Sequence, residues 1–372
     1  MAPAPTTHDA RSGRRRRRSV VPGLLVAPLL VGVLSTAGPA VAAQTAAPAS
    51  ARLACTYGFN TPDAAAIDGS DLFVANKGGN SVTELSPTSG ACIGNVTGSQ
   101  FHFDSPAALK ALGANLFVAN QKGNTVTEVA VATRALVRVI SASACKFSDP
   151  VALATNGTTY LFVLNGTGSV TRVDTSTGAC SGIASGSSLE FKSPTAIISV
   201  GTDLFVTNYS GNTVTEINSS SMTLVRILSG SQYAFNAPTA IAGHGADIWI
   251  TNKAGQSVTE LLASTGGAVQ VVPNTSDYLP TPGPITYGDG YLFAASPPGG
   301  SPMITQIVPT DPATLPWMMC NTNYNFFFSN PQAMAVYGAN LWVVNEGGAG
   351  GPAGNSVTEM NADTGILVKV VR

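Results

Sequence analysis

Charged side chains are scarce in this sequence: Asp, Glu, Lys and Arg together make up 10% of its 372 residues. Setting aside the six arginines and one aspartate of residues 1–42 reduces the 19 basic and 20 acidic residues to 13 and 19, a net charge of −6. Proteins that bind DNA or RNA neutralise phosphates with clustered lysine and arginine, and this part of the chain has no basic patch. The composition therefore argues against nucleic acid as a partner.

The sequence is also poor in the residues and motifs of common enzymes. It contains no G-x-S-x-G, no H-E-x-x-H and no phosphate-binding loop. Only His102 and His244 lie beyond residue 42, and the repeat described below assigns them to turns on opposite faces, where they cannot share a substrate. We predict no catalytic residue, no metal site and no cofactor, and the sequence favours a binding protein over an enzyme.

Helical periodicity is absent, and the one long apolar run comes near the start of the chain. Residues 11–18 read RSGRRRRR, and the apolar stretch that follows ends in an A-x-A sequence at 40–42. A basic region, an apolar region and such a site are the parts of a secretory signal peptide. The alternative is a membrane anchor, although prolines and glycines interrupt the run. We expect residues 1–42 to be a signal peptide, by the Sec or the twin-arginine route, and 43–55 to be a short linker.

Repetition is what this sequence has in abundance. The segment LFVANKGGNSVTEL (72–85) returns as LFVANQKGNTVTEV (116–129) and as LFVTNYSGNTVTEI (204–217). A proline marks each of seven units, at intervals of 44 residues except for a last interval of 49: Pro62, Pro106, Pro150, Pro194, Pro238, Pro282 and Pro331. Each unit contains four short segments rich in β-branched and aromatic residues. This period predicts an all-β, seven-bladed β-propeller of four-stranded blades over residues 56–372, with the ring closed by packing between blades one and seven.

The polar residues that recur from unit to unit are interpreted as parts of the scaffold. Asparagines such as Asn76 and Asn80 bracket the turn after the second strand, where their side chains can bond nearby backbone and tolerate unusual backbone angles. Glutamates such as Glu84 lie in the third strand, and Arg172 and Gln306 replace them in two units. Copies that lie away from the axis cannot converge on one metal ion. We therefore expect these side chains to form hydrogen bonds between blades.

A phenylalanine stands three residues before most of the marking prolines. The series is Phe59, Phe103, Phe147, Phe191, Phe235 and Phe328, with Leu279 at the sixth place. A buried ring contributes a large apolar area, so we predict that these side chains pack as wedges between neighbouring blades. A platform on which sugar rings stack is the alternative.

The segments LFVTNYSGNTVTEI and LWVVNEGG…GNSVTEM resemble the YVTN and NHL families of β-propeller repeats. They are also similar to the repeats of the streptogramin B lyase group, which is a seven-bladed propeller. The likeness covers nearly all of the chain after residue 42 and implies the fold, while such repeats serve binding proteins and enzymes alike. The lyase group is understood to use histidine with acidic residues and magnesium at one face, and no such set can be matched residue by residue here.

Two functions from different classes remain. The first is a secreted, non-enzymatic module that binds an unknown extracellular ligand, glycan or protein. We expect this module to be a monomer, without membrane contact once the leader is removed and with association to the cell surface left open. The alternative is a streptogramin B lyase-like enzyme with a divergent metal-dependent site.

The predicted binding surface lies where blades six and seven depart from the repeat. The turn after the second strand of blade seven is lengthened to NEGGAGGPAGN (345–355), and the connection before that blade holds several aromatic residues. Such connections and turns project from the same face of a four-stranded blade. We predict Trp317, Tyr324, Phe326 and Glu346 as ligand-binding residues. The alternative is that the aromatic side chains fill a gap in blade six.

The cysteines recur with the repeat in two units. Cys92 and Cys180 each lie thirty residues after their marking proline, and Cys55 and Cys145 shortly precede those same prolines. This joint presence predicts the disulfides Cys55–Cys92 and Cys145–Cys180, with Cys320 unpaired, and disulfides suit an exported protein. An ideal blade keeps the two places too far apart for a disulfide, so the connection has to fold down along the blade.

Overall fold

The computed structural model describes residues 55–157, 159–275, 278–296, 302–310, 317–320 (backbone only), 328–347 and 354–372. Seven four-stranded antiparallel sheets follow one another along this part of the chain. Within every sheet the strands pair in the order in which the sequence supplies them. The protein is therefore an all-β, seven-bladed propeller, and the fold predicted from the repeat is confirmed.

In each of the first four blades, the first strand begins at the marking proline and the second strand ends at the repeated asparagine. Blade one contains β1 (Pro62–Ile67), β2 (Leu72–Asn76), β3 (Ser81–Leu85) and β4 (Cys92–Val96). Blade two contains β5 (Pro106–Leu112), β6 (Asn115–Asn120), β7 (Thr125–Ala130) and β8 (Leu136–Ser141). Blade three contains β9 (Pro150–Thr155), β10 (Tyr160–Asn165), β11 (Ser169–Asp174) and β12 (Cys180–Ser185). Blade four contains β13 (Pro194–Val200), β14 (Asp203–Asn208), β15 (Thr213–Asn218) and β16 (Thr223–Leu228).

The remaining three blades include the irregular sixth. Blade five contains β17 (Pro238–His244), β18 (Asp247–Asn252), β19 (Ser257–Leu262) and β20 (Gly267–Pro273). Blade six contains β21 (Ile285–Gly288), β22 (Tyr291–Ser296), β23 (Met303–Ile307) and β24 (Trp317–Cys320). Blade seven contains β25 (Pro331–Tyr337), β26 (Asn340–Asn345), β27 (Ser356–Asn361) and β28 (Leu367–Val371). Single helical turns occur in the connections between blades: Ser99–Phe101, α1 (Ala142–Cys145), Ser187–Leu189 and Ser231–Tyr233.

Burial follows the position of a strand within its blade. All five residues of β2 are buried, because the neighbouring blades cover both faces of the second strand. The outer strand β16 is exposed over its first three residues. The predicted aromatic wedges are confirmed where Phe103 packs with Phe73 of blade one and Leu116 of blade two in one buried cluster. The core of the protein is thus a ring of inter-blade clusters.

In six blades, a buried threonine of the third strand bonds the chain segment that enters the blade. In blade four, the Thr215 hydroxyl donates to the carbonyl of Leu189 at 2.8 Å and accepts from the Asn208 amide at 2.9 Å. The threonine-to-carbonyl bond recurs in five other blades, from Thr83, Thr127, Thr171, Thr259 and Thr305. The first repeated asparagine therefore acts as a scaffold residue, and its main partner is this hydroxyl.

The second repeated asparagine reaches the next blade. The Asn80 side-chain oxygen accepts from the Ser105 backbone N–H at 2.9 Å, directly before blade two begins. Asn124 and Asn212 make the same bond to blades three and five. All three asparagines have φ near +50°, a conformation that asparagine tolerates better than most residues. The same asparagine thus forms the turn and bonds the backbone at the start of the next blade.

Four of the five third-strand glutamates pair with a cation, and the fifth, Glu260, accepts from the side-chain amide of Gln270. Glu84 pairs directly with Arg134 of blade two at 2.5 Å. Glu216 pairs with Arg226 of its own outer strand at 2.7 Å, and that guanidinium donates to the carbonyl of Thr265 in blade five. Burial raises the pKa of Glu216, and the hydrogen bond and charge of Arg226 oppose that shift. The predicted inter-blade contact is made by Glu84 directly, whereas in blades two, four and seven the cation paired with the glutamate makes the contact with the next blade.

Arg172 and Gln306, which replace the glutamate in blades three and six, also make a contact with the next blade. Arg172 donates to the carbonyl of Ser219 in blade four at 3.1 Å. Gln306 donates to the carbonyl of Ala362 in blade seven at 2.9 Å. Neither side chain needs a carboxylate to bridge the blades, because each carries its own N–H donor.

The ring closes between blades seven and one without any exchange of strands. The Trp342 indole donates to the carbonyl of Pro87 at 3.2 Å, and the Lys369 ammonium donates to the carbonyl of Ser89 at 2.5 Å. Trp342 also packs with Leu72 and Val74 in a buried cluster. The predicted mode of closure is confirmed.

Two disulfides are present, Cys55–Cys92 and Cys145–Cys180, with Cα atoms 5.6 and 5.4 Å apart. They are the pairs named from the sequence. The ideal blade would separate them, but the connection descends along the blade, because the Cys145 carbonyl accepts from Thr171 in the middle of β11. The backbone of Cys320 lies in β24, and its side chain lies outside the described residues.

Replacing Thr215 with valine tests the buried hydroxyl. Valine has nearly the same shape, so Thr215→Val leaves the Leu189 carbonyl and the Asn208 amide buried without this partner. We expect a loss of about 1–3 kcal/mol in the free energy of unfolding, measured by urea denaturation. Thr223→Val, at an exposed residue of the outer strand, is the control and should change stability little. Equal stability of the two variants would contradict the role given to the hydroxyl.

Replacing Trp342 with phenylalanine tests ring closure. Trp342→Phe removes the N–H that donates to Pro87, and we expect a stability loss about 1 kcal/mol greater than for Trp249→Phe. Trp249 is the matched control, because it is equally buried at the same strand position of blade five and no hydrogen bond of its indole is seen among the described residues. Thermal unfolding compares the two, and equal losses would show that the indole bond does not stabilise the closure.

The disulfides predict both a peptide map and a stability difference. Digestion without reduction should release one peptide pair joined through Cys55 and Cys92 and another joined through Cys145 and Cys180. The double variant Cys145→Ala with Cys180→Ala should lose about 2–4 kcal/mol of stability, because the bond closes a loop across 35 residues. A peptide that joins Cys55 to Cys320 would contradict the assignment.

Candidate functional site

The first strands of the seven blades surround a cavity on the propeller axis with a volume of about 440 Å³. Small side chains leave this space open, because alanines such as Ala107, Ala152 and Ala196 line the wall. The wall also carries polar groups: Asp63, Thr195, Thr239, Lys253 and Gln332. Cavities of this size, with a few convergent polar groups, are typical of small-molecule sites.

The cavity opens on one face of the propeller. Its lining residues come from the start of each first strand, which pairs with the end of the second strand, as Pro62 pairs with Asn76. The turns between second and third strands lie at this end, and we call it the upper face. The turns between first and second strands form the lower face. Lys253 follows the last residue of β18 and lines the cavity from the upper face.

The residue directly after the repeated second-strand asparagine differs from blade to blade. The series is Lys77, Gln121, Gly166, Tyr209, Lys253 and Glu346 in blades one to five and seven. The asparagine before it and the threonine after the turn repeat because they belong to the buried scaffold. The upper face therefore presents a varied set of side chains on a nearly uniform frame, which is the usual arrangement of a binding surface.

The charged side chains around the mouth of the cavity differ in their partners. Asp63 is paired with Lys77 at 3.1 Å in blade one. In blade seven the Glu346 carboxylate accepts from the side-chain amides of Asn330 and Gln332, both at 3.0 Å. Lys253 is exposed and takes part in no ion pair within the described part of the chain. The mouth thus combines one neutralised pair with a separate cation and a separate anion.

One further cation lies in the wall close to the cavity. Lys110 follows the lining residue Leu109 in the first strand of blade two, where blades one and three have Ala66 and Ala154. Burial lowers the pKa of Lys110 below the ordinary value of a lysine. Blade two therefore has an ionisable group where its neighbours are apolar.

The structure describes the four predicted binding residues to different extents. Glu346 does not itself line the axial cavity, but it lies beside the mouth, where its carboxylate accepts from the side-chain amide of the lining residue Gln332. Trp317 begins β24 and pairs with Gln306, and its side chain lies outside the described residues. Tyr324 and Phe326 also lie outside the described residues.

Sequence reasoning missed the axial groups Asp63, Thr195, Thr239 and Lys253. A signal for the last of these was present, because the position after the repeated asparagine varies while its neighbours repeat. The first-strand residues carried no such signal, since only the closed ring brings seven first strands together.

Other chemistry is limited in the described residues. His244 stacks on Tyr287 with ring centroids 3.9 Å apart, and it ends β17 toward the lower face. His102 follows the helical turn Ser99–Phe101 in the connection before blade two. No cluster of three or more His, Cys, Asp or Glu suited to a metal ion occurs among the residues searched. In the same residues, no helix is long and apolar enough to span a membrane.

Comparison with known proteins bears on the fold. No protein-family model matches this chain, and no curated protein matches it in sequence. Among solved structures, the chain is similar to a chain of hydrazine synthase from Kuenenia stuttgartiensis, with 16% identity and a TM-score of 0.62. The match covers 83% of this chain and 97% of the other. At that identity the similarity is one of fold, and the chain stands as a seven-bladed β-propeller without assignment to a family.

Proposed function

We propose that this protein is a secreted, non-enzymatic β-propeller that binds a ligand over the mouth of its axial cavity. The observation that carries the proposal is the cavity itself, about 440 Å³ in volume and lined by all seven blades. Lys253 and the Asp63–Lys77 pair stand at its mouth, while Glu346 lies beside the lining residue Gln332. These polar groups differ from blade to blade, so the scaffold does not require them.

Three further features support the proposal. The two disulfides suit an exported protein, since such bonds persist in oxidising compartments. The repeats resemble those of the YVTN and NHL propellers, which we propose as the wider group of this chain. Trp317, Tyr324 and Phe326 precede blade seven in the sequence, and in the proposal they extend the surface that begins at Glu346. The ligand classes are a small extracellular molecule, a glycan or a protein, bound by a monomer.

The lyase-like alternative requires histidine beside acidic groups at one face. His244 lies at the end of its blade away from the cavity mouth, and its ring is stacked on Tyr287. Neither His244 nor His102 lines the cavity. No observation within the described residues favours this alternative, so we keep binding as the proposed function.

Filling the cavity tests the proposal. Ala107 lines the cavity and belongs to none of the packed core clusters, so Ala107→Trp should block the mouth while the protein remains folded. Ligands are first found on an array of glycans and peptides probed with the wild-type protein. We expect Ala107→Trp to weaken binding to those hits by about tenfold or more, because a bulky ring displaces the bound molecule.

The control is Ala246→Trp, which places the same ring at an exposed residue on the lower face. That variant should bind as the wild type does. Equal binding by wild type and Ala107→Trp, with both proteins folded by circular dichroism, would show that the axial cavity is not the site.

A further inference from the structure

Two charges at the cavity mouth have no partner of opposite sign within the described residues. Lys253 lines the cavity and forms no ion pair there, whereas Lys77 on the same face is held by Asp63. Glu346 accepts two amide hydrogen bonds and meets no cation in this part of the structure. The segments 297–301, 311–316, 321–327 and 348–353 contain no lysine, arginine or histidine. The blade-six and blade-seven segments outside the description thus supply no cation to Glu346.

The two charges flank one sector of the mouth. Lys253 belongs to blade five and Glu346 to blade seven, so only blade six separates them. Blade six contributes Gly283 and Pro284 to the cavity at this point. Neither residue carries a polar side chain. Within the described residues, the sector therefore has a cation on one side, an anion on the other and a small, uncharged wall between them.

The hydrogen-bonding capacity of the two sides differs. Thr239 lines the cavity in the same blade as Lys253, but its hydroxyl donates to the carbonyl of Ala237 and has no proton left for a carboxylate, so the donor on this side is Lys253. On the other side, the Glu346 carboxylate has one oxygen, Oε2, occupied by the two amides. A carboxylate has about four acceptor positions, so Glu346 retains capacity for a further donor.

We propose that the axial mouth binds a small zwitterion, a free amino acid or a short peptide, across blade six, with its carboxylate at Lys253 and its ammonium at Glu346. This inference rests on the proposed function, because it names the class of ligand for the same cavity. A neutral sugar satisfies the hydrogen-bonding groups but gives no use for the two separated charges. A simple anion satisfies Lys253 and is repelled by Glu346.

The experiment removes one charge at a time from the ligand and from the protein. Triglycine, N-acetyl-triglycine and triglycinamide are titrated into the intact protein, and binding is followed by calorimetry. The first probe has both charges, the second lacks the cation and the third lacks the anion. We expect triglycine to bind about tenfold more tightly than either blocked peptide. Leucine, titrated in parallel, distinguishes a free amino acid from a peptide as the preferred length.

The matched variants should give a crossed pattern. Lys253→Gln should abolish the preference for triglycine over triglycinamide and keep the preference over N-acetyl-triglycine. Glu346→Gln should do the reverse. Lys122→Gln, at an exposed lysine of a blade-two turn on the same face, should leave both preferences unchanged. This pattern identifies which charge meets which end of the ligand, and a general loss of folding does not produce it.

Other outcomes overturn the inference, and they separate it from the proposed function. Absence of triglycine and leucine binding at millimolar concentration overturns it, as does equal binding of the blocked peptides. If a neutral glycan binds wild type but not Ala107→Trp, and zwitterions do not bind, the cavity stands as the site and only the ligand class is wrong. If triglycine binds Ala107→Trp as tightly as wild type, the location fails as well.

Discussion

The structure depends on a buried hydroxyl in the third strand of the blades. In blade four this hydroxyl belongs to Thr215, which donates to the Leu189 carbonyl and accepts from the Asn208 amide, so one atom satisfies two groups that water does not reach. The bond holds the incoming connection against the middle of the blade. Because the connection is drawn inward, its phenylalanine packs between blades, and in blade three its cysteine reaches the start of the outer strand. The recurring asparagine and threonine of the repeat are thus explained by hydrogen bonding rather than by ligand binding.

A second set of contacts turns separate blades into one ring. Three of the cations that pair with buried third-strand glutamates also donate to the next blade. Lys369, for example, bonds Glu359 and also donates to the carbonyl of Ser89 across the closure. Burial raises the pKa of Glu359, so desolvation opposes the charged state and the paired ammonium offsets part of that effect. Gln306 makes an equivalent bridge without any charge. In these blades an N–H donor is directed at the neighbouring turn, whereas in blade one the carboxylate of Glu84 itself meets Arg134 of the next blade.

The repeat predicted the blade number, the strand order and the mode of closure, because these follow from period and frame within one chain segment. It also indicated the cysteine pairs, since both members occur together only in units one and three. The axial cavity was not predictable in the same way. Its wall is built from short stretches of seven distant segments, which contain for example Asp63 and Gln332 and which no local pattern connects. We predicted Glu346 as a binding residue because its turn is long. In the structure its carboxylate is held by the side-chain amide of Gln332, in a contact within blade seven between the first strand and the residue after the second strand. The roles of Trp317, Tyr324 and Phe326 stay predictions, because their side chains lie outside the described residues.

A symmetric frame constrains where specificity can arise. The buried threonine of the third strand, Thr259 in blade five, recurs in all seven blades, and the asparagine that donates to it, Asn252, recurs in six, with Ser296 at its place in blade six. The side chain at the position after the asparagine makes no such scaffold hydrogen bond, so it can differ between blades without loss of the fold. In a chain with only 10% charged residues, an exposed lysine and a carboxylate kept apart at one opening are unlike the paired glutamates of the inter-blade contacts. Stability explains the paired charges of the frame, and we propose that a bound ligand explains Lys253 and Glu346, which have no partner of opposite charge within the described residues.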